Sequence, residues 1–231
     1  MAAAQKVLID VELLPMEQPD LVEVANRCFE AFPTFYAPME PELIRPPHDV
    51  RCQRFANRLS KLLRSPHILA TKAVLASGPE KGKLAGLTIW HRPDAPEVFN
   101  LKRAWKDESK DDEENWEGVD KEKWEAKWGE WDQIRERIMD GIPHWYIAPL
   151  IVIPGYQGQG IGSKLLKQVT DLADSHTPTQ PIYLEASAAG KPMYEKIGFR
   201  VEGDVNSEYP ELVRWNKDGR TREEWKKDLK Q

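Results

Sequence analysis

A glycine-rich turn set between an apolar run and an amphipathic segment constrains this chain more than any other feature. Residues 145–153 are apolar and rich in aromatic and β-branched types, the composition of a buried strand. Pro154-Gly155 closes the run. Gln157-Gly158-Gln159-Gly160-Ile161-Gly162 then enters a segment whose apolar residues, Leu165, Leu166, Val169, Leu172 and Ala173, line one face of a helix. Glycines at a strand-to-helix turn let backbone N–H groups approach an anion closely, and the helix N-terminus adds partial positive charge. The pattern describes a phosphate cradle.

The spacing narrows whose phosphates it holds. A nucleotide P-loop needs Gly-Lys-Ser/Thr at the end of its glycine run, whereas here the helix opens on Ile161-Gly162-Ser163. A dinucleotide fingerprint needs Gly-x-Gly-x-x-Gly within repeated βαβ units, and the preceding half of the chain shows no such repeat. What fits is Gln-x-x-Gly-x-Gly, on Gln157, Gly160 and Gly162. A second element follows it. Residues 181–187 form a short apolar strand, Ala188-Ala189-Gly190 a small-residue turn, and Lys191-Pro-Met-Tyr-Glu-Lys-Ile-Gly-Phe199 leads to a strand at 200–205. Both elements resemble those of the GNAT superfamily of acetyl-coenzyme A-dependent N-acetyltransferases: the pyrophosphate motif and the Tyr-x-x-x-Gly-Phe element. Within it, the segments between 144 and 205 read most like those of the puromycin N-acetyltransferase type.

The resemblance implies an α/β (α+β) fold with a central mixed, mostly antiparallel sheet of about seven strands, splayed between strands 4 and 5 and flanked by helices. It implies acetyl-coenzyme A as co-substrate, with no metal. The fourth strand would pair with the pantetheine arm through backbone groups of Leu150, Ile151 and Val152. Gln157, Gly158, Gln159, Gly160, Ile161, Gly162 and Ser163 would hold the pyrophosphate, with Ser187 and Gly190 nearby. Tyr194 matches the family tyrosine, the expected general acid toward the coenzyme A sulfur, with packing beside Phe199 as its alternative role. Some members carry histidines on the fourth strand where this chain has Tyr146 and Ala148, so that arrangement does not carry over. Those two residues are instead expected to face the acceptor. Glu185 is the best acidic candidate for the general base, with a structural carboxylate as the alternative. His144 lies a strand step too far back to serve without a water relay.

Taken in order, residues 7–14 alternate loosely as a first strand. A helix follows from Asp20, carrying Leu21, Val22, Val24, Ala25, Cys28, Phe29 and Phe32, and Pro33 is expected to stop it. The aromatic, proline-rich loop 34–41 offers Phe35, Tyr36 and Met39 as pocket walls or as core. A helix at 49–63 and a strand pair, 68–77 and 83–91, come next. His91 reads as a surface histidine at a strand end. Residues 94–143 depart from the family pattern. They contain an almost wholly charged run at 106–114, read as a solvated loop. A stripe of Trp124, Trp128, Trp131, Ile134 and Ile138 then falls at helical spacing. That stripe describes a helix packed on the core, or a lid or wall over the acceptor pocket, or a dimer contact. After a last strand at 211–216, Trp225 and Leu229 are left on a charged C-terminal tail.

Composition sets the outer bounds. The 231 residues suit one domain, 1–231, carrying an insertion at about 94–143. A net charge of −5 argues against nucleic acid as partner. Cys28 and Cys52 form no spacing framework, and a reducing, cytoplasmic setting is expected. No apolar run reaches membrane-spanning length, so no membrane association is expected. The expected activity is acetyl transfer to a primary amine of a small molecule by a monomer or homodimer. A protein amine, or a non-catalytic acyl-coenzyme A sensor, are the alternatives.

Overall fold

The computed structural model describes residues 9–95 and 110–228. Seven strands form one sheet in the order β1-β2-β3-β4-β5-β7-β6. They are β1 (Val11–Pro15), β2 (Ile68–Leu75), β3 (Leu84–His91), β4 (Trp145–Val152), β5 (Ile182–Glu185), β6 (Arg200–Val201) and β7 (Glu211–Arg214). Every neighbouring pair is antiparallel except β4 and β5. That parallel pair needs a crossover, which α5 (Ile161–Asp174) supplies.

The crossover pair is short. Only Trp145↔Ile182 and Tyr146↔Tyr183 are in register, although β4 runs six residues further. On its other side β4 follows β3 as far as Gly86↔Val152, with the register broken between Thr88↔Leu150 and Trp90↔Ile147. The break falls on Ala148-Pro149. Proline has no N–H to give a ladder, which confines it to bulges and edges. This is the splay that the family resemblance implied, between the fourth and fifth strands.

Period-two alternation then sorts side chains onto two layers. One face of the sheet presents Leu87, Ile89 and Ile151 to α1 (Leu21–Ala31), α3 (His48–Leu63) and α4 (Lys121–Met139). The other presents Trp90, Trp145, Ile147 and Leu184 to α5 and to α6 (Lys191–Glu195). Val24, Ala25, Cys28 and Phe29 recur along the inner face of α1, and Leu165, Leu166, Val169 and Ala173 along that of α5. Cys28 and Cys52 are both free and buried.

Several expectations shift. Pro33 does not merely stop α1; its fixed φ suits a first helical position, and it opens the four-residue α2 (Pro33–Tyr36). Of residues 200–205 only Arg200–Val201 pair as strand. His91 is not a surface residue: it is buried, stacked on Tyr146 with ring centroids 5.5 Å apart. Trp225 is not on a loose tail. It is buried on α7 (Arg222–Asp228) against Trp215, 5.6 Å between centroids, and its indole N–H donates to the Thr179 carbonyl at 2.9 Å. Leu229 and residues 106–109 of the charged run lie outside the described residues, whereas 110–114 are not loop but belong to a 3-10 helix, Lys110–Trp116.

The tryptophan stripe folds as the helix α4. Asp120 caps it, its carboxylate accepting from the Lys123 N–H at 3.1 Å, and Asp140 ends it in the left-handed conformation with φ 52°. Trp124 is fully buried and meets Trp116 edge-on at 5.4 Å, with Tyr36 and Phe55 each 6.3 Å away. The buried Arg58 guanidinium lies 4.6 Å from the Trp116 ring and 5.2 Å from the Trp124 ring, and donates to the Asn115 carbonyl at 2.6 Å. Trading Trp124 for alanine removes a large ring from a closed core, so Trp124→Ala is expected to lower the unfolding free energy by about 3–5 kcal/mol. Urea denaturation followed by far-UV circular dichroism checks this.

Candidate active site

The site grows out of the gap between β4 and β5. The Ile153 N–H donates to the Ala85 carbonyl at 3.0 Å, so position 153 faces β3. The Ile151 carbonyl also faces β3, lying 3.0 Å from where a Cβ on Gly86 would sit. Val152 points the other way, its carbonyl accepting from Gln157 Nε2 at 3.1 Å. By strand alternation Leu150 faces the gap as well. Of the expected triplet, Leu150 and Val152 therefore offer backbone groups to a strand-like ligand. Ile151 departs from the expectation, because its backbone is turned to β3.

At the end of β4 the chain turns through Gly155, Gly158 and Gly160 with φ of 93°, 69° and 84°. An L side chain is strained there. Gly160 is the N-cap of α5, and Lys164 is the residue whose N–H reaches back to the Gly160 carbonyl, at 3.0 Å. The N–H groups of Ile161, Gly162 and Ser163 precede that first intrahelical bond and so have no acceptor within the helix. The side chains there do other work. Ile161 is buried in the core, Gln157 is tied to Val152, and the Gln159 side-chain oxygen is buried with no partner. Gly162 serves packing, since a Cβ would sit 3.0 Å from Met193 Sδ and 3.4 Å from Val152 Cγ2.

Across the gap, Ser187 and Gly190 form the turn into α6. The Gly190 N–H donates to Ser187 Oγ at 3.2 Å and to its carbonyl at 3.0 Å. A Cβ on Gly190 would meet the Tyr194 ring at 3.1 Å, so glycine here lets the tyrosine lie flat under the turn. Tyr194 is buried beside Phe199, 5.5 Å between centroids. Burial alone pushes its hydroxyl pKa up, which keeps it protonated and able to donate.

A cavity of about 90 Å³ joins these groups. Leu150, Glu185, Ser187 and Tyr194 contribute to it, and so do the four residues expected on the acceptor side, Phe35, Tyr36, Tyr146 and Ala148. The turn residues 157–163, Ile151, Val152 and Gly190 are not part of its wall, and Met39 is core. Trp128 and Trp131 of α4 line it, so the insertion supplies both a core-packed helix and a wall of the cavity. Tyr209, before β7, also lines it and was not singled out from sequence; only its aromatic character in a polar connection marks it.

Among the described residues Glu185 is the single carboxylate lining this cavity. Burial raises its pKa to about 7, against the opposing charge of Arg135 and a hydrogen bond with Tyr146. One carboxylate oxygen, Oε1, has no protein partner. Arg135, another residue of α4, lies 4.3 Å from the Tyr146 ring and pairs with Asp132 at 2.7 Å. His91 and His144, behind Tyr146, are both pushed down to about 4, chiefly by burial and further by Arg135, so they are neutral at pH 7. His144 Nδ1 contacts the Ile142 carbonyl at 2.7 Å, which assigns the proton to that nitrogen.

Residues 131–209 match the family model described as an acetyltransferase (GNAT) domain. This segment is similar to a GNAT acetyltransferase domain. It spans β4, the glycine turn, α5, β5 and α6, and it reaches from Trp131 to Tyr209, the two ends meeting at the cavity. The GNAT fold extends beyond the matched segment. A solved acetyltransferase from Corynebacterium glutamicum, described as histone acetyltransferase HPA2 and related acetyltransferase, superposes with a TM-score of 0.53 at 20% identity, over 89% of this chain and 96% of its own. The PaiA N-acetyltransferase of Thermoplasma acidophilum, solved in complex with coenzyme A, gives 0.50 at 13% identity, over 89% and 99%. Among the described residues no group of three or more His, Cys, Asp or Glu is placed to hold a metal, and no helix is long and apolar enough to cross a membrane.

The raised Glu185 pKa has a sign that can be measured. The folded protein keeps the proton to about pH 7, while the unfolded chain loses it near the ordinary value of 4.5. Between those limits the native state binds more protons, so this contribution to stability is full below about 4.5 and is lost as pH rises to about 7. His91 and His144 act in the opposite sense, since only the unfolded state takes up their protons between about 4 and 6.5. Subtracting the stability-against-pH curve of Glu185→Gln from that of the native chain is expected to leave a component falling across that window.

Proposed function

We propose that the protein transfers the acetyl group of acetyl-coenzyme A to a primary amine of a small molecule, as a single GNAT domain with an insertion at about 94–143. The observation that carries this reading is one cavity lined by both Tyr194 and Glu185, whose Oε1 has no protein partner, at the edge of the β4–β5 gap. The residues present fit coenzyme A. Leu150 and Val152 turn backbone groups to the gap, and the first turn of α5 aims N–H groups outward for a pyrophosphate. A thioester held there supplies an activated acetyl group.

The remaining chemistry belongs to side chains. Glu185 Oε1 accepts the proton that the amine sheds as its nitrogen forms the bond to the carbonyl carbon. Backbone N–H groups facing the gap stabilise the oxyanion. Tyr194 gives its proton to the sulfur as the carbon–sulfur bond breaks, and regains one from solvent. Tyr146 orients Glu185 through their hydrogen bond, and Arg135 holds the carboxylate pKa below what burial alone would set. The small volume of the cavity favours a small amine over a protein segment. The likeness of residues 144–205 to the puromycin N-acetyltransferase type supports the same choice.

Thiol release from acetyl-coenzyme A across a panel of amines tests the proposal. Tyr194→Phe is expected to lower kcat by tenfold or more while coenzyme A still binds. The native rate is expected to rise with pH to a plateau above about 7, as for a base that must be ionised, and Glu185→Gln to lose that rise. Tight coenzyme A binding with no thiol release for any amine overturns the transferase reading in favour of a sensor.

A further inference from the structure

The side of the cavity away from Tyr194 is built of rings. Phe35 from α2 stacks on Trp131 from α4 with centroids 4.9 Å apart and planes at 27°. Trp128 meets both edge-on at 5.5 Å. Tyr209, from the connection before β7, closes the group at 5.8 Å from Trp131 and 6.3 Å from Phe35. Three separate segments of chain thus converge to place aromatic surface opposite one carboxylate.

The polar groups of the wall are few, and among them the Trp128 indole N–H and Glu185 Oε1 have no partner. Ser187 Oγ is taken by the Gly190 N–H, Tyr146 by Glu185 and Arg135, and Tyr209 bonds Thr34 and Glu208. A hydroxyl-rich amine would lose more hydrogen bonds to water there than Trp128 and Glu185 replace. Charge imposes a second limit. Each buried ammonium needs its own counter-charge, and Glu185 provides one. The charges beside the ring wall are already paired, Arg135 over Tyr146 with Asp132, and Lys127, 5.1 Å from the Trp131 ring, with Glu130.

We propose that the acceptor is a monoamine whose body is an aromatic or similarly flat apolar group, and that Phe35 and Trp131 select it. The inference rests on the transferase reading and deepens it. Glu185 meets the single nitrogen, and the ring wall takes the apolar body through edge and face contacts. The insertion is therefore a specificity element, since α4 brings Trp128 and Trp131 to the cavity.

The experiment compares thiol release from acetyl-coenzyme A with 2-phenylethylamine, spermidine and a lysine-containing peptide, using the full chain. The expected result is kcat/KM for 2-phenylethylamine about tenfold or more above both others. Trp131→Ala and Phe35→Ala are each expected to raise the KM for 2-phenylethylamine about fivefold or more, well beyond any change in the KM for spermidine, and Trp131→Phe is expected to restore most of the loss. Preference for spermidine or the peptide overturns the inference and leaves the transferase standing. An equal loss for all amines in Trp131→Ala, with Tm unchanged, overturns the selecting role. Absence of thiol release with every amine, coenzyme A still binding, takes down the transferase reading itself.

Discussion

Between β4 and β5 the ladder holds for two residue pairs and then stops, and the site exists because it stops. Backbone N–H and C=O groups buried without partners are costly, so a strand that leaves its neighbour needs another use for them. Val152 shows one use, its carbonyl taken by the Gln157 side chain. The rest of the free edge is what an extended ligand can pair with. The bulge at Ala148-Pro149 turns β4 while its outer part stays registered with β3 through Thr88↔Leu150 and Gly86↔Val152. A proline placed there gives up no ladder bond, because the ladder is already broken.

The α4 helix answers a different problem. The cavity faces the layer of α1 and α3, which on their own leave it bounded by short, separate segments. Arg58 fastens the insertion from beneath, held between the Trp116 and Trp124 rings and bonded to the Asn115 carbonyl and to Glu40. Glu40 is almost fully buried and is also paired with Arg51, so the anchor is a compensated ionic group rather than a lone charge in the core. With Trp124 fixed in this way, Trp128 and Trp131, one and two turns along, are carried to the cavity.

What could be read from the sequence follows the range of the forces involved. The glycine turn, the strands beside it and α1, α3, α5 and α6 are set by local periodicity and by backbone conformations that glycine alone adopts freely, so their residues were visible in order. The stripe from Trp124 to Ile138 was equally visible as a helix. Its partner was not, because a buried face says nothing about which neighbour covers it. His91 was misjudged for the same reason: a strand-end position looks exposed until Tyr146, fifty-five residues later, stacks on it. Trp225 looked loose because its partners, Trp215 and the Thr179 carbonyl, are tertiary. Ile151 was placed among the ligand-facing residues because strand direction is legible, whereas the side to which each backbone group turns depends on the register with β3.

Trp131 and Arg135 are four residues apart and so share a face of α4. One helix face therefore supplies both the ring that lines the acceptor cavity and the cation that acts on the carboxylate. Burial by itself would hold Glu185 protonated well above neutrality, useless as a base; Arg135 and the Tyr146 hydroxyl pull in the other direction, and the balance falls near 7. Tyr146 stands between the two, hydrogen-bonded to Glu185 on one side and covered by the Arg135 guanidinium on the other. Any change that shifts α4 along the sheet moves the wall and the charge together. Acceptor fit and base strength are in this way mechanically coupled through a single helix, which is a reason for the insertion to be anchored as firmly as it is by Arg58.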